Sequence, residues 1–393
     1  MRYLETGPDA AQPPVAFVVT ADAPPRRALA PSAAAAAGSA TALGVLRGVF
    51  LPRGYPASVS ADYAEYQRWD TAQGLFSYIT HVMATKAALV SVGVGDGGST
   101  AGAAAATWLL KDGAGMLGRI CFAWALGQEL DRNSKQWRVV ADVTDDLARV
   151  ATLLAPVFKA RARAILCFVS LLYAVVGVAG GCTRAAVTQH QAIADNAADV
   201  SAKDGSQETL VHLVGLLLGL ALAPHLEAAP AEATWLCCLL FSALHVFANV
   251  RAVRSLALGV LNERRAQIVM REWLTSRKML TPADLAQLEP LVFSPRPDCA
   301  LGVSLGQLSS DGESVARQLR LGGAVVVGLA AAVPEGSTGR DLLAIRLRME
   351  AELLGKPDHR AEEFFTAAQK EGWSCNTTLL SDAAYRHSRT KSE

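Results

Sequence analysis

The ionisable residues of this chain gather between two apolar runs. Within residues 178–218 stand Arg184, His190, Asp195, Asp199, Lys203 and Asp204, with Gln189, Gln191, Gln207 and Glu208 among them. The flanks are apolar, so these charges must lie at a membrane face or line a protected cavity. Such a set can pair across helices or line a path for a small polar or anionic molecule. On a helix Arg184 faces residues 180, 181, 187 and 188, none of them acidic, so its partner must come from elsewhere. Asp96, Asp112 and Asp142 are the candidates, with Asp112 preferred. Lys203 can pair locally with Asp199 at i−4.

Other charges sit in apolar surroundings. Lys86 and Asp96 fall within the interrupted apolar run from residue 74 to residue 110, and Lys111, Asp112 and Arg119 follow it. Asp96 reads as the cap of a helix starting near Ser99 and Thr100. Gly113, Gly115 and Gly118 spell GxGxxG, and Asp131 follows at roughly the distance of a ribose-binding acid. The Ala-rich segment before the glycines reads as helix, where a nucleotide site needs a strand, so helix packing is the better reading. Asp142, Asp145 and Asp146 share a helical face; a solvated face is the plainer expectation, a cation site the other. His212 and His245 sit one on each arm of an apolar hairpin and suit interhelical hydrogen bonds. Seven cysteines are scattered without zinc-ligand spacing, and no nucleophile elbow, phosphate loop or catalytic acid pair is present. No cofactor and no metal is expected, and an enzyme is disfavoured.

The elements that hold these groups are helical. Residues 165–181, 210–226 and 233–250 are apolar. The last two form a hairpin, with the acidic tip at 227–232 and basic residues outside it, Lys203 on one flank and Arg251, Arg254, Arg264 and Arg265 on the other. The positive-inside rule then puts 182–208, 251–292 and the tail on the cytosolic or equivalent side. Residues 165–181 have bases on both flanks and read as tilted, re-entrant or buried rather than as a plain span. Gly215 and Gly219 form a GxxxG packing face. Ser206 reads as the cap of the 210–226 helix. Tyr55, Tyr63, Tyr66 and Trp69 suit a membrane interface or a partner interface.

Several blocks resemble the root UVB sensitive family, its animal-type members most. They are VAGGCTRAAVTQHQA and NAADVSAKDGSQETLV in the polar stretch, FLPRGYPASVSADYAEYQRWD (50–70), TWLLKDGAGMLGRICFAW (107–124) and LDRNSKQWRVVADVTDD (130–146). ALHVFANVRAVRSL (243–256) and LNERR (261–265) extend the likeness. It covers residues 46–292. The resemblance implies a protein that works with other family members. Plant members are associated with UV-B responses, vitamin B6 homeostasis and auxin transport, and they form complexes with one another.

Composition agrees with a membrane setting. The chain is 51% hydrophobic and 19% charged, against about 25% charged in soluble domains. A net charge of +1 gives nucleic-acid binding no electrostatic support. No apolar segment follows a basic start, and Glu5, Asp9 and Asp22 argue against an organelle transit peptide. The expected organisation is a disordered Ala/Pro-rich stretch over 1–45, a mostly α, membrane-embedded bundle over 46–292, and a small α+β tail over 293–393. The expected setting is an intracellular membrane, with the lipid bilayer and like family members as partners. The alternatives are a transporter of a small polar or anionic molecule, with Lys86, Asp96, Arg119, Arg184 and Asp199 as its pathway, and a nucleotide-dependent oxidoreductase. An amphipathic helix lying solvated on the membrane is the plainest reading of the polar stretch.

Overall fold

The computed structural model describes residues 2–5, 15–20, 23–27, 42–92, 101–293, 300–301, 319–321, 324–327, 330–334, 339–353, 361–379 and 386–387. Asp96 lies outside them. The chain is mostly α-helical and folds as two compact units. The first is Met1–Arg119, Asp142–Gly177 and Arg184–Ala252; the second is Ile120–Ala141, Val178–Thr183 and Val253–Glu393.

The first unit opens with strands β1 (Arg2–Glu5), β2 (Val15–Thr20) and β3 (Ala23–Arg27), an antiparallel sheet in a stretch expected to be disordered. Helix α1 (Ala42–Phe50) follows. Pro52 and Pro56 keep the next segment irregular, because neither offers an N–H to a helix. Helix α2 (Tyr63–Ser91) starts behind Asp62. Helices α3 (Ala101–Arg132), α4 (Ser134–Leu154), α5 (Ala162–Gln191), α6 (Ala197–Ala228) and α7 (Ala231–Ser255) complete the bundle.

Among the described residues three helical segments are long and apolar enough to cross a membrane: Lys159–Gln191, Ala197–Ala228 and Ala231–Ser255. The first contains residues 165–181, whose basic flanks suggested a tilted, re-entrant or buried helix. Helix α5 runs unbroken through Gly180 and Gly181 to Gln191, so it has the length that the apolar run alone lacked. The second moves a cap. Helix α6 begins at Ala197, and Ser206 lies inside it, donating to the Ala202 carbonyl. The polar stretch is therefore the end of α5, a turn at 192–196 and the first turns of α6.

Helix α6 packs against α2. A methyl group at Gly215 would lie 2.8 Å from Tyr78 Cβ, and one at Gly219 would lie 2.8 Å from a Val82 methyl. Small residues let the two backbones approach to a distance that side chains would forbid. Gly118 plays the same part on α3, where an added Cβ would lie 3.0 Å from Leu171 and Ala174 of α5, while one at Gly115 would make only ordinary contact with Ser170. One helix runs through all three glycines of the GxGxxG and on to Arg132, taking in Asp131. A nucleotide site of the strand–turn–helix type is thereby excluded.

The second unit builds its core from α8 (Glu263–Ser276), α9 (Pro282–Leu288), α10 (Gly339–Leu353) and α11 (Ala361–Lys370). Val269, Met270, Leu285, Leu343, Leu347 and Phe364 form its centre. This core draws α8 and α9 in with the C-terminal helices, so the unit reaches back to Val253 and does not start at 293. Strand β4 (Val260–Asn262) pairs in parallel with β9 (Ser374–Leu379). Strands β5 (Ala300–Leu301), β6 (Leu319–Leu321), β7 (Ala324–Val327), β8 (Ala330–Pro334) and β10 (Arg386–His387) make a second sheet. Asn262 caps α8 by accepting from the Arg265 amide. Lys135, Arg265 and Glu289 meet in the interior, where Glu289 lies 3.0 Å from Arg265 and 3.3 Å from Lys135. Burial works to raise the Glu289 pKa, but the two cations outweigh it and hold the carboxyl below its ordinary range.

Candidate functional site

The first unit carries two polar centres. One lies where α5 turns into α6, close to the 50–62 segment. Arg184 Nε donates to Asp204 at 2.7 Å, and its Nη1 donates to Glu208 at 2.6 Å. Gln67 of α2 donates to the other Asp204 oxygen at 3.2 Å. The expected partner was Asp112. It pairs instead with its neighbour Lys111 at 3.5 Å, while Lys111 also lies over the Trp108 ring. The antiparallel return of α6 sets an acid beside Arg184 with no help from α3.

His190 Nε2 and Asp62 Oδ2 are 2.8 Å apart, and Ser60 donates to the same carboxylate's other oxygen. The Asp199–Lys203 pairing is also corrected. Asp199 accepts from the Arg53 amide at 2.7 Å, and Lys203 donates to the Gly48 carbonyl at 2.5 Å. Asp195 stands exposed in the turn with φ 52°, a left-handed conformation that aspartate tolerates better than most residues. Gln207 donates to the Phe50 carbonyl and to the Tyr63 hydroxyl. Tyr63 and Tyr66 are buried within the unit, not set at an interface. Burial pushes the Tyr63 hydroxyl up to about 12.

The second centre is not among the residues singled out for the polar stretch. Helix α4 was expected to show water a charged face. Its charges turn inward instead. Arg149 is 4% exposed and donates to Thr80 at 3.0 Å, to Ser77 at 2.7 Å, and to Asp145. Asp146 accepts from Ser242 at 3.0 Å and lies 2.8 Å from His245 Nδ1. Asn249 donates to Gln73 at 3.0 Å and to Asp142. Burial raises the Asp145 carboxyl above its usual range, more than Arg149 beside it lowers it.

The three carboxylates thus meet hydrogen-bond donors and one cation. Among the described residues no group of histidine, cysteine or acidic side chains is arranged to hold a metal ion. A signal for this centre does exist in the sequence. Gln73, Ser77 and Thr80 recur at i, i+4, i+7 on α2, and Ser242, His245 and Asn249 at i, i+3, i+7 on α7. Each set falls on one face of its helix.

The remaining candidates scatter. Arg119 is exposed on α3, and Lys86 is exposed on α2, where it pairs with Glu227. Neither lines an interior path among the described residues. His212 stacks on Tyr78, ring centroids 4.7 Å apart, and His245 makes the interhelical hydrogen bond expected of it.

Residues 37–277 match the family described as the vitamin B6 photo-protection and homoeostasis domain. The chain is 43% identical over 265 residues to RUS family member 1 of Dictyostelium discoideum, covering 66% of this chain and 50% of that one. It is 42% identical over 240 residues to Protein root UVB sensitive 3 of Arabidopsis thaliana, covering 61% and 54%. Protein root UVB sensitive 2, chloroplastic, of the same plant is 28% identical over 248 residues, covering 63% and 56%. The chain spans about half the length of these curated relatives. No solved structure matches it.

Proposed function

Because this chain belongs to the root UVB sensitive family, we propose that it is a membrane-embedded helical protein of vitamin B6 homeostasis that acts by assembling with like chains. The observation that carries the membrane reading is the distribution of polarity in the first unit. Leu213, Leu217, Leu220, Leu236, Leu240 and Phe247 are exposed on α6 and α7. Arg149, Asp146, His245 and Asn249 are buried beneath them. A water-soluble bundle arranges these the other way round. Exposed apolar surface of this extent belongs against lipid or against another protein. Charged groups inside a membrane bundle pair with one another, as these do.

The family description supports the vitamin B6 setting. Assembly is supported by α3, which leaves Leu109, Met116, Leu117, Ile120 and Trp124 exposed, Trp124 at 88%. Binding rather than catalysis is supported by the burial of the α4 centre, which keeps Asp146, Arg149 and His245 from the contact with substrate that an acid–base reaction needs. The test has two parts. Carbonate extraction should leave the protein in the membrane pellet; recovery in the soluble fraction would end the membrane reading. Native mass spectrometry from nanodiscs should show more than one copy or a co-purified family member; a lone monomer ends the assembly reading.

A further inference from the structure

A cavity of about 410 Å³ opens beside the α5–α6 turn, between residues 53–58 and the first turn of α6. Its wall includes Arg53, Ser58, Asn196, Asp199 and Lys203. Helix α6 begins there without a side-chain cap. Its first amides therefore lack that cap, and a long helix adds partial positive charge at that end. The Asn196 side chain, which stands at the capping position, instead accepts from the Ala194 amide.

Two residues of this wall, Ser58 and Asn196, each carry a side-chain atom without a protein partner among the described residues. Ser58 is 8% exposed, and its hydroxyl has no hydrogen bond among the described residues. The Asn196 Nδ2 is likewise buried and unpaired. A buried polar group without a partner costs about 1–3 kcal/mol, so such groups in a cavity wall await a ligand or water. The charges lean the same way. Arg53 and Lys203 contribute two cations against the single carboxylate of Asp199, and that carboxylate already accepts from the Arg53 amide.

We propose that this cavity binds a phosphate monoester. The donors are a guanidinium, an ammonium, a hydroxyl, an amide and a helix N-terminus. Together they suit an anion with several oxygens disposed around one centre better than a flat carboxylate. The volume exceeds that of inorganic phosphate and falls in the range, roughly 300–1,000 Å³, of small-molecule sites, which leaves room for an organic body. The phosphate can come from a soluble ester or from a lipid headgroup. The inference stands on the geometry of this cavity and does not depend on assembly with other chains.

The test uses the full chain. Inorganic phosphate, pyridoxine and pyridoxine 5′-phosphate are titrated calorimetrically into protein in detergent. In parallel, protein is reconstituted into nanodiscs of phosphatidylcholine with or without phosphatidic acid, and lipid phosphorus is followed by 31P NMR. The variants are Arg53→Gln, Ser58→Ala and, as a control, Arg68→Gln. Arg68 is exposed and donates to the Ala64 carbonyl of its own helix. Arg53→Gln keeps the backbone amide that holds Asp199, so the fold should survive it. Saturable binding should weaken about tenfold in Arg53→Gln, the loss of one charge-assisted bond, weaken in Ser58→Ala, and stay unchanged in Arg68→Gln. Binding of pyridoxine 5′-phosphate but not pyridoxine assigns a soluble ester. A response confined to phosphatidic acid assigns a headgroup. No saturable binding in either arm, or equal affinity across the three variants, overturns the proposal.

Discussion

Arg184 and Asp204 stand twenty residues apart in the chain and 2.7 Å apart in space. Each lies on one side of the α5–α6 turn, so their bond ties the end of one apolar helix to the start of the next. Asp204 also accepts from Gln67, which brings α2 into the same knot. Removing Arg184 would leave Asp204, only 9% exposed, without its cation. Arg184→Ala should therefore cost about 1–3 kcal/mol, the penalty for an unpaired buried acceptor and a lost charged bond. Lys203→Ala removes one hydrogen bond to the Gly48 carbonyl and should cost about 1 kcal/mol or less. Thermal unfolding in detergent compares the two. Equal losses would show that the Arg184 pair does not tie the turn.

Gly219 faces Val82 so closely that an added methyl overlaps it, whereas Gly177 on α5 has nothing within 4 Å. Alanine gains about 1 kcal/mol in helix propensity over glycine. Overpacking costs about 1–3 kcal/mol. The second effect should win at Gly219 and be absent at Gly177. Gly219→Ala should lower the unfolding temperature, and Gly177→Ala should leave it unchanged or raise it. The same direction of change at both sites would count against the α2–α6 contact.

Glu289 sets a pH dependence in the second unit. Its folded pKa lies below the ordinary glutamate value of about 4.3. A depressed carboxyl contributes stability that is fully present above the unfolded pKa and lost as pH falls through the folded one. Hydrogen-exchange protection of α8 should therefore fall as pH drops below that ordinary value. Glu289→Gln should be less stable at neutral pH, because Lys135 and Arg265 then lie buried without their carboxylate, and should lose less on acidification. An unchanged acid limb in the variant would assign the loss to other groups.

Some of this fold is legible in the sequence because length and spacing alone decide it. The apolar runs of α6 and α7, the acidic tip between them and the Gly215–Gly219 spacing need no knowledge of neighbours. The C-terminal helices and β9 follow from local periodicity in the same way. The partners of the charges are harder. Asp142, Asp145, Asp146 and Arg149 declare a shared face on α4, but a period cannot say whether that face meets water or another helix. The answer lay in the matching stripes on α2 and α7. Arg184 shows the same limit. Its own helix offers no acid, and only the return of α6 reveals which neighbour does.

His245 and Asp146 join α7 to α4 at 2.8 Å, and Ser242 and Arg149 complete the shell around the same carboxylate. Water cannot replace a partner lost here, because the residues involved are buried at 1–8% exposure. His245→Ala and Asp146→Ala should each destabilise the protein by about 3 kcal/mol, the cost of stranding one member of a buried polar pair. The double variant should cost less than the sum of the two, with a coupling of about 0.5–3 kcal/mol, since each single change already breaks the same bond. Asp146→Asn should be milder than Asp146→Ala, because the amide keeps an acceptor for Ser242. Unfolding measured by tryptophan fluorescence in detergent gives all four values. A coupling near zero would mean that α4 is held by its apolar contacts alone, and that the buried charges do not fix the way α4 packs against α7.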